Sequence, residues 1–276
     1  MGRLSAVFIV LMSAALLQGC IRVSTTVSVN PDGSGTVTER LLMNRSYFKT
    51  MFGLGKGEKQ TSAADIPSRE NLEKNASAMG EDVRLKSVRK YTEGLFEGYE
   101  AVYTFRDVAR INISGRPDER RDADSLRTES VIGSGRNDRV GFRFSRDSLA
   151  TLVIVLPESR SLLEPEIRGT PPPTPPAPDQ QKLSLAIFRE AFKGTRMRLV
   201  VGFRGEIVSS NAECMDGSEV VLADVDFDRL LLEESHEDAL LNLTGYGSVS
   251  PSPGELFNRV PGVRGETKQK VTVVFR

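Results

Sequence analysis

The sequence predicts an α+β domain: an antiparallel β-sheet built from hairpins, with helices packed on one face, after a cleaved secretion signal. Three observations lead there. Several segments alternate apolar and polar residues at period two, the signature of a strand with one buried face. Two of the breaks between such segments carry the same Asp-Gly-Ser turn, Asp32-Gly33-Ser34 and Asp216-Gly217-Ser218. Other segments space their apolar residues by three and four, as one face of a helix does.

Composition sets the outer limits. The chain has 276 residues, 39% of them hydrophobic, and 37 Lys+Arg balance 37 Asp+Glu. That profile is globular. A neutral chain lacks the basic excess of a dedicated nucleic-acid binder and the polybasic patch of an electrostatic membrane binder. Nucleic acid is therefore not expected among its partners.

The first residues read MGRLSAVFIVLMSAALLQGC. Arg3 supplies a positive start, and Leu4 to Leu17 is an uncharged, mostly apolar run of 14 residues. A transmembrane helix needs about 20, so the run matches a signal-peptide core. It ends in Leu17-Gln18-Gly19-Cys20, which resembles a bacterial lipobox. Residues 1–19 are expected to be the signal peptide, cut between Gly19 and Cys20, with the Cys20 thiol carrying a diacylglycerol. Each buried CH₂ contributes about 0.8 kcal/mol, so several acyl chains hold a protein on a bilayer. Ile21 stands where Asp resembles an inner-membrane retention signal. That favours the outer membrane, facing the periplasm, in a cell with two membranes.

Residues 20–276 are expected to form a single exported domain. Ile21, Val23, Val27 and Val29 alternate with polar residues, Asn30 to Ser34 turns, and Thr36 to Met43 returns, which makes a hairpin. Arg45 to Phe52 and Pro67 to Met79 read as helices, the second through Leu72, Ala76 and Met79 with Gly80 as its stop. Val83 to Tyr91, Leu95 to Phe105 and Val108 to Ile113 read as strands. A charged loop spans 114–138. Val140, Phe142 and Phe144 alternate, and Leu149 to Leu156 reads as a strand buried on both faces. Residues 165–178 hold seven of the fourteen prolines. They read as a stiff surface loop or spacer, since a recognition ligand would need a partner nothing else implies.

Gln180 to Lys193 reads as an amphipathic helix stopped by Gly194. Met197, Leu199, Val201 and Phe203 alternate as a strand, followed by the second hairpin at Asp216-Gly217-Ser218. Short helices are expected around Phe227 to Leu232 and Asp238 to Leu243, and Val271, Val273 and Phe275 close the chain as a strand.

Two stretches carry a resemblance. A lipid-type Cys followed at once by a strand and a Pro-Asp-Gly-Ser-Gly turn resembles the start of LppM-type bacterial lipoproteins. Gly205-Glu206-Ile207-Val208-Ser209-Ser210-Asn211-Ala212, with Asp216-Gly217 and Val220, is similar to that family's second conspicuous stretch. The resemblance covers roughly residues 20–45 and 196–225. It implies an α+β fold and an exported, anchored location, and it carries no catalytic residues.

The remaining motifs yield no reaction. His236, the one histidine, sits in an acidic helix boundary with Ser235 as a candidate N-cap, and no G-x-S-x-G elbow accompanies it. Asp224, Asp226 and Asp228 imitate the opening of a calcium loop. However, Arg229 stands at the sixth position where Gly is required, and Ser235 stands at the twelfth where Glu is required. Alternating Asp there reads better as a strand running into a helix. Gly53 to Gly57 lacks the order of a phosphate loop and reads as a linker. Cys214, with Cys20 acylated, has no disulfide partner and reads as a small buried hydrophobe.

No catalytic residue, cofactor or metal site is therefore assigned. The expectation is a membrane-anchored lipoprotein of the cell envelope acting as a non-catalytic binding or assembly module, with another envelope protein or a lipid as partner. The alternatives are an envelope hydrolase whose Ser/Lys or carboxylate site only the fold assembles, and a purely structural subunit.

Overall fold

The structure is a computed structural model, described for residues 21–44, 66–114, 139–157, 192–231 and 260–276. Its first strand, β1 (Ile21–Val29), alternates in burial as its sequence requires: Val27 and Val29 are fully buried, while Ser24, Thr26 and Ser28 are only half-buried. Asn30 to Ser34 folds into a tight turn. The Ser34 N–H and hydroxyl both donate to Asp32 Oδ1, at 2.9 and 2.6 Å. Gly33 adopts φ +84°, and a side chain there would press into the ring of Phe144. The chain returns as β2 (Gly35–Asn44), antiparallel to β1 and in register from Ile21 with Met43 to Val29 with Gly35.

Helix α1 (Arg69–Met79) begins where the Ser68 hydroxyl accepts the Asn71 N–H, and it buries Leu72, Ala76 and Met79 as expected. Two strands follow, β3 (Arg84–Glu93) and β4 (Phe96–Phe105). The stretch read as a third strand, Val108 to Ile113, is instead a 3₁₀ turn at Val108–Arg110, capped by Asp107, leading into a short β5 (Asn112–Ser114). The Asp107 carboxylate satisfies the Ala109 N–H and so favours a turn over an extended chain.

After β6 (Arg139–Arg146) comes β7 (Ala150–Val155). Strand β7 is central, flanked by β6 and by β13 (Lys270–Phe275). It is not buried on both faces: Ala150, Leu152 and Ile154 are buried, while Thr151, Val153 and Val155 are half-buried, because only one face of its sheet meets the core. In β8 (Arg196–Phe203) the expected alternation fails in the other direction. Val200 to Phe203 are all buried, since Cys214 and Val221 cover Val200 on the side away from the main core. The rest of the described chain comprises β9 (Ile207–Ser210), β10 (Met215–Asp216), β11 (Glu219–Asp226), α2 (Phe227–Leu231) and β12 (Val263–Gly265).

The expected layout of one antiparallel sheet with helices on a face is corrected. Among the described residues there are two sheets and two helices. Sheet A runs β10-β11-β8-β1-β2-β4-β3, with β12 also on β11, and sheet B runs β5-β6-β7-β13-β9. Sheet A is mixed, because β1 and β8 pair in parallel from Arg22 with Arg196 to Val29 with Phe203. The inner faces of both sheets fill one apolar core, with Val27, Val37 and Tyr103 from sheet A and Phe142, Leu152, Val273 and Phe275 from sheet B. Phe203 and Phe275 meet edge to face across it, with centroids 4.9 Å apart.

Helix α1 adds Leu72, Ala76 and Met79 to the same core and lies against β3 and β5. These are the edge strands of the two sheets on one side, so α1 covers edges where a sheet face was expected. The physical reason is burial. A broad eight-stranded sheet lined with Val, Tyr and Phe needs a wide apolar partner, and a five-stranded sheet supplies it better than one three-turn helix.

The sheets are joined where the chain passes from β8 to β9. Gly205 at φ +142° packs against the carbonyl of Arg276 so tightly that a Cβ would overlap it. Glu206 and Arg276 exchange backbone hydrogen bonds at 2.9 and 3.0 Å, and their side chains pair at 2.7 Å. The helices read at Arg45 to Phe52 and Asp238 to Leu243, most of Gln180 to Lys193, nearly all of the charged loop 114–138 and the whole Pro-rich 165–178 lie outside the described residues.

Candidate functional site

The outer face of sheet A, away from the core, is the candidate site. Opposed residues on neighbouring strands share a face, so the register fixes who stands there. Ser24 on β1 lies between Arg40 on β2 and Arg198 on β8, and Arg22 lies between Leu42 and Arg196. Glu100 and Gly98 continue these two rows on β4, with Arg89 and Tyr91 beyond them on β3. On the other flank Arg198 and Arg196 face Asp224 and Asp226 of β11.

The charges are tied to one another across strands. Glu100 is buried and accepts Arg40 Nε at 2.6 Å and Arg89 Nε at 2.7 Å. Burial pushes the Glu100 carboxyl up, but the two guanidinium hydrogen bonds outweigh it and hold the group below its ordinary value. The same contact raises Arg89. Asp224, also buried, receives Arg196 through both oxygens, at 3.1 and 3.0 Å, and this fork raises Arg196. Arg198 reaches Glu219 at 3.0 Å and Asp216 at 3.5 Å.

Aromatic rings support the cations at one corner. Arg22 lies over Phe96 at 3.9 Å from the ring centroid and pairs with Glu93 at 2.8 Å, while Arg40 lies over Tyr91 at 4.7 Å. Between the two charged flanks runs a strip of hydroxyls: Thr26 and Ser28 of β1, Thr38 and Thr36 of β2. The face thus offers hydroxyls in the middle and paired charges at both sides, on strands whose positions the core fixes.

A second constellation is architectural. Glu266 is buried and accepts four backbone N–H groups, from Glu213, Cys214, Thr267 and Lys268, at 2.8 to 3.3 Å. Glu213 accepts the Thr267 hydroxyl and pairs with Lys268 at 3.4 Å, and these contacts hold its carboxyl below the usual range, the Thr267 hydrogen bond first. Asn211 Oδ1 accepts the Thr272 N–H at 2.7 Å. Together these bonds pin the 211–214 loop to the 266–268 turn, and the loop in turn covers β8.

Several residues singled out in the sequence can now be placed. Cys20 and Gly19 lie outside the described residues, as do His236, Ser235 and the Gly53 to Gly57 stretch. Cys214 is buried with Val200 and Val221, the position of a small hydrophobe. The three aspartates of the calcium-like run diverge, and the segment is a strand entering a helix. Asp224 goes to Arg196, Asp226 accepts the Arg229 N–H at 3.3 Å, and Asp228 accepts the Gly194 N–H at 2.6 Å. Among the described residues no group of three or more potential ligands is placed to hold a metal, and no helix is long and apolar enough to cross a membrane.

The sequence reading missed Glu100 and Glu266. The wet face of β1 was legible as Arg22, Ser24, Thr26 and Ser28, but its partners lie on strands far away in sequence. No local pattern announces a carboxylate that is buried because two distant arginines meet it.

Fold and face together define a two-sheet β domain with a hydroxyl-and-ion-pair surface on its broader sheet. No family model matches the chain, and no curated protein matches it. Among solved structures, the NMR structure of the folded domain of LppM from Mycobacterium tuberculosis is similar over 74% of this chain and 81% of that one, at 13% identity and a TM-score of 0.29. A likeness at that level fixes neither a shared fold nor a shared ligand.

Proposed function

We propose that the protein is an envelope lipoprotein, tethered to a membrane through acylated Cys20, whose β domain works by binding another envelope protein. The observation that carries this reading is the position of β1. It starts at Ile21, one peptide bond after the lipobox cysteine, and runs in the interior of sheet A between β2 and β8. A lipid on Cys20 would therefore hold the end of a rigid sheet at the bilayer, with no linker between anchor and domain. The leader that precedes Cys20, with its short apolar run and Leu-Gln-Gly-Cys ending, supports the same tether.

The outer face of sheet A supports binding as the activity. Its cations and carboxylates pair across the strands, with Arg22 Nε and Arg198 Nε left without a hydrogen bond, so it presents a nearly charge-balanced, hydrogen-bonding surface of the kind found at the polar parts of protein interfaces. Ile21 in place of Asp favours the outer membrane in a cell with two membranes.

Metabolic labelling with an alkyne palmitate tests the tether. The full chain should incorporate label and pellet with membranes, and Cys20→Ser should do neither. Equal membrane retention of the two would sink the reading. Cross-linking in intact cells, followed by mild detergent extraction, should then recover a defined envelope partner, and Thr26→Lys with Thr38→Glu on the hydroxyl strip should abolish that capture while leaving the protein folded.

A further inference from the structure

We infer that the β3–β4 turn, through Leu95, is a second contact with the bilayer beside the Cys20 lipid, so that sheet A stands end-on to the membrane. This rests on the lipid tether proposed above.

Leu95 and Val208 are the exposed large hydrophobics among the described residues, at 69% and 49%. Leu95 occupies a two-residue turn with Gly94 at φ +60°, which projects it beyond the strand ends. The register places that turn. Glu93 opposes Phe96, Phe96 opposes Asn44, and Met43 opposes Ile21. The turn therefore stands at the end of the sheet where β1 begins, two strands from it, and strands lie about 4.8 Å apart, so the lateral offset is about 10 Å. Cys20 is one residue, about 3.8 Å, from Ile21. Acyl chains entering a bilayer at Cys20 bring its surface up to Leu95.

The surroundings agree. Ile21 and Met43 are apolar, half-buried and at the same end. Behind Leu95, Phe96 and Tyr91 carry Arg22 and Arg40 over their rings, an aromatic and cationic layer at the depth where headgroups would lie. Arg22 and Glu93 pair with each other, so apolar insertion and not lipid charge drives the contact. A flexible single-point tether would let the domain rotate freely. Two points about 10 Å apart restrict it, and hold sheet A upright on the membrane.

Val208 supplies the control. It follows closely on the other end of β1, where Arg204 N–H bonds Val29 O, and nine residues of strand span about 30 Å. The experiment uses the detergent-extracted, acylated full chain in vesicles of phosphatidylethanolamine and phosphatidylglycerol. Leu95→Cys and Val208→Cys are each labelled with an environment-sensitive fluorophore, with the unsubstituted chain as the background for buried Cys214. The label at residue 95 should shift to the blue on vesicle addition and be quenched by lipid-borne nitroxide, and the label at 208 should do neither. An acylated preparation whose residue-95 label stays as aqueous as the one at 208 overturns this inference and leaves the tether standing. A preparation that carries no acyl chain overturns both.

Discussion

Arg40 donates to Glu100 across the β2–β4 pair at 2.6 Å, on the face of sheet A turned away from the core. Arg89 donates to the other oxygen of the same carboxylate from β3, so one buried acid ties three strands together.

That arrangement sets an acid limit. Glu100 is held below its ordinary value of 4.5, so its contribution is present above that pH and is lost as pH falls through the lowered value. Glu100→Gln should cost about 1.5–3 kcal/mol at neutral pH, the usual worth of hydrogen bonds to charged groups. The difference in melting temperature between the two proteins should shrink as pH drops from about 6 to about 3. A gap independent of pH would refute the role.

Tyr103 sets an alkaline limit. Its side chain is fully buried, and burial pushes its phenol well above the ordinary 10. Asn75 offsets part of this shift, but it is placed too loosely for a full hydrogen bond. Because the folded value is the higher one, stability present below pH 10 is lost as pH rises beyond it. Tyr103→Phe should be close to neutral at pH 7 and should unfold less readily than the parent at about pH 11, as followed by circular dichroism. Parallel losses in both proteins would contradict the assignment.

Gly205 is the third test. Alanine there meets both an unfavourable φ and the Arg276 carbonyl. Gly205→Ala should destabilise the domain by about 1–3 kcal/mol in denaturant unfolding, whereas alanine at Gly141, where a Cβ meets open space, should cost little. Equal costs at the two sites would mean that the junction between the sheets tolerates displacement.

What the sequence revealed was local. The β1–β2 hairpin, the buried triad Leu72, Ala76 and Met79, and the alternation of Val271, Val273 and Phe275 all follow from periodicity within one segment. The assignment of strands to two sheets did not, because Ile207 to Ser210 looks no different as a neighbour of β13 than as an extension of β8. The candidate site divides in the same way. Its β1 row was visible as Arg22 to Ser28, but the buried status of Glu100 and Asp224 arises only when Arg40, Arg89 and Arg196 arrive from other strands. The proposed anchor motif is the reverse case: it is read from the sequence alone, and Cys20 itself lies outside the described residues.

The parallel pairing of β1 with β8 has a temporal consequence. The first strand of sheet A finds its neighbour only when residues 196–203 are present, so this sheet cannot close while the polypeptide is still short. Contacts of such long sequence separation form slowly, so under the export proposed above the nascent chain would stay threadable through a secretion pore. On that proposal compaction would wait for the far side of the membrane, where Arg196 to Phe203 would zip against Arg22 to Val29.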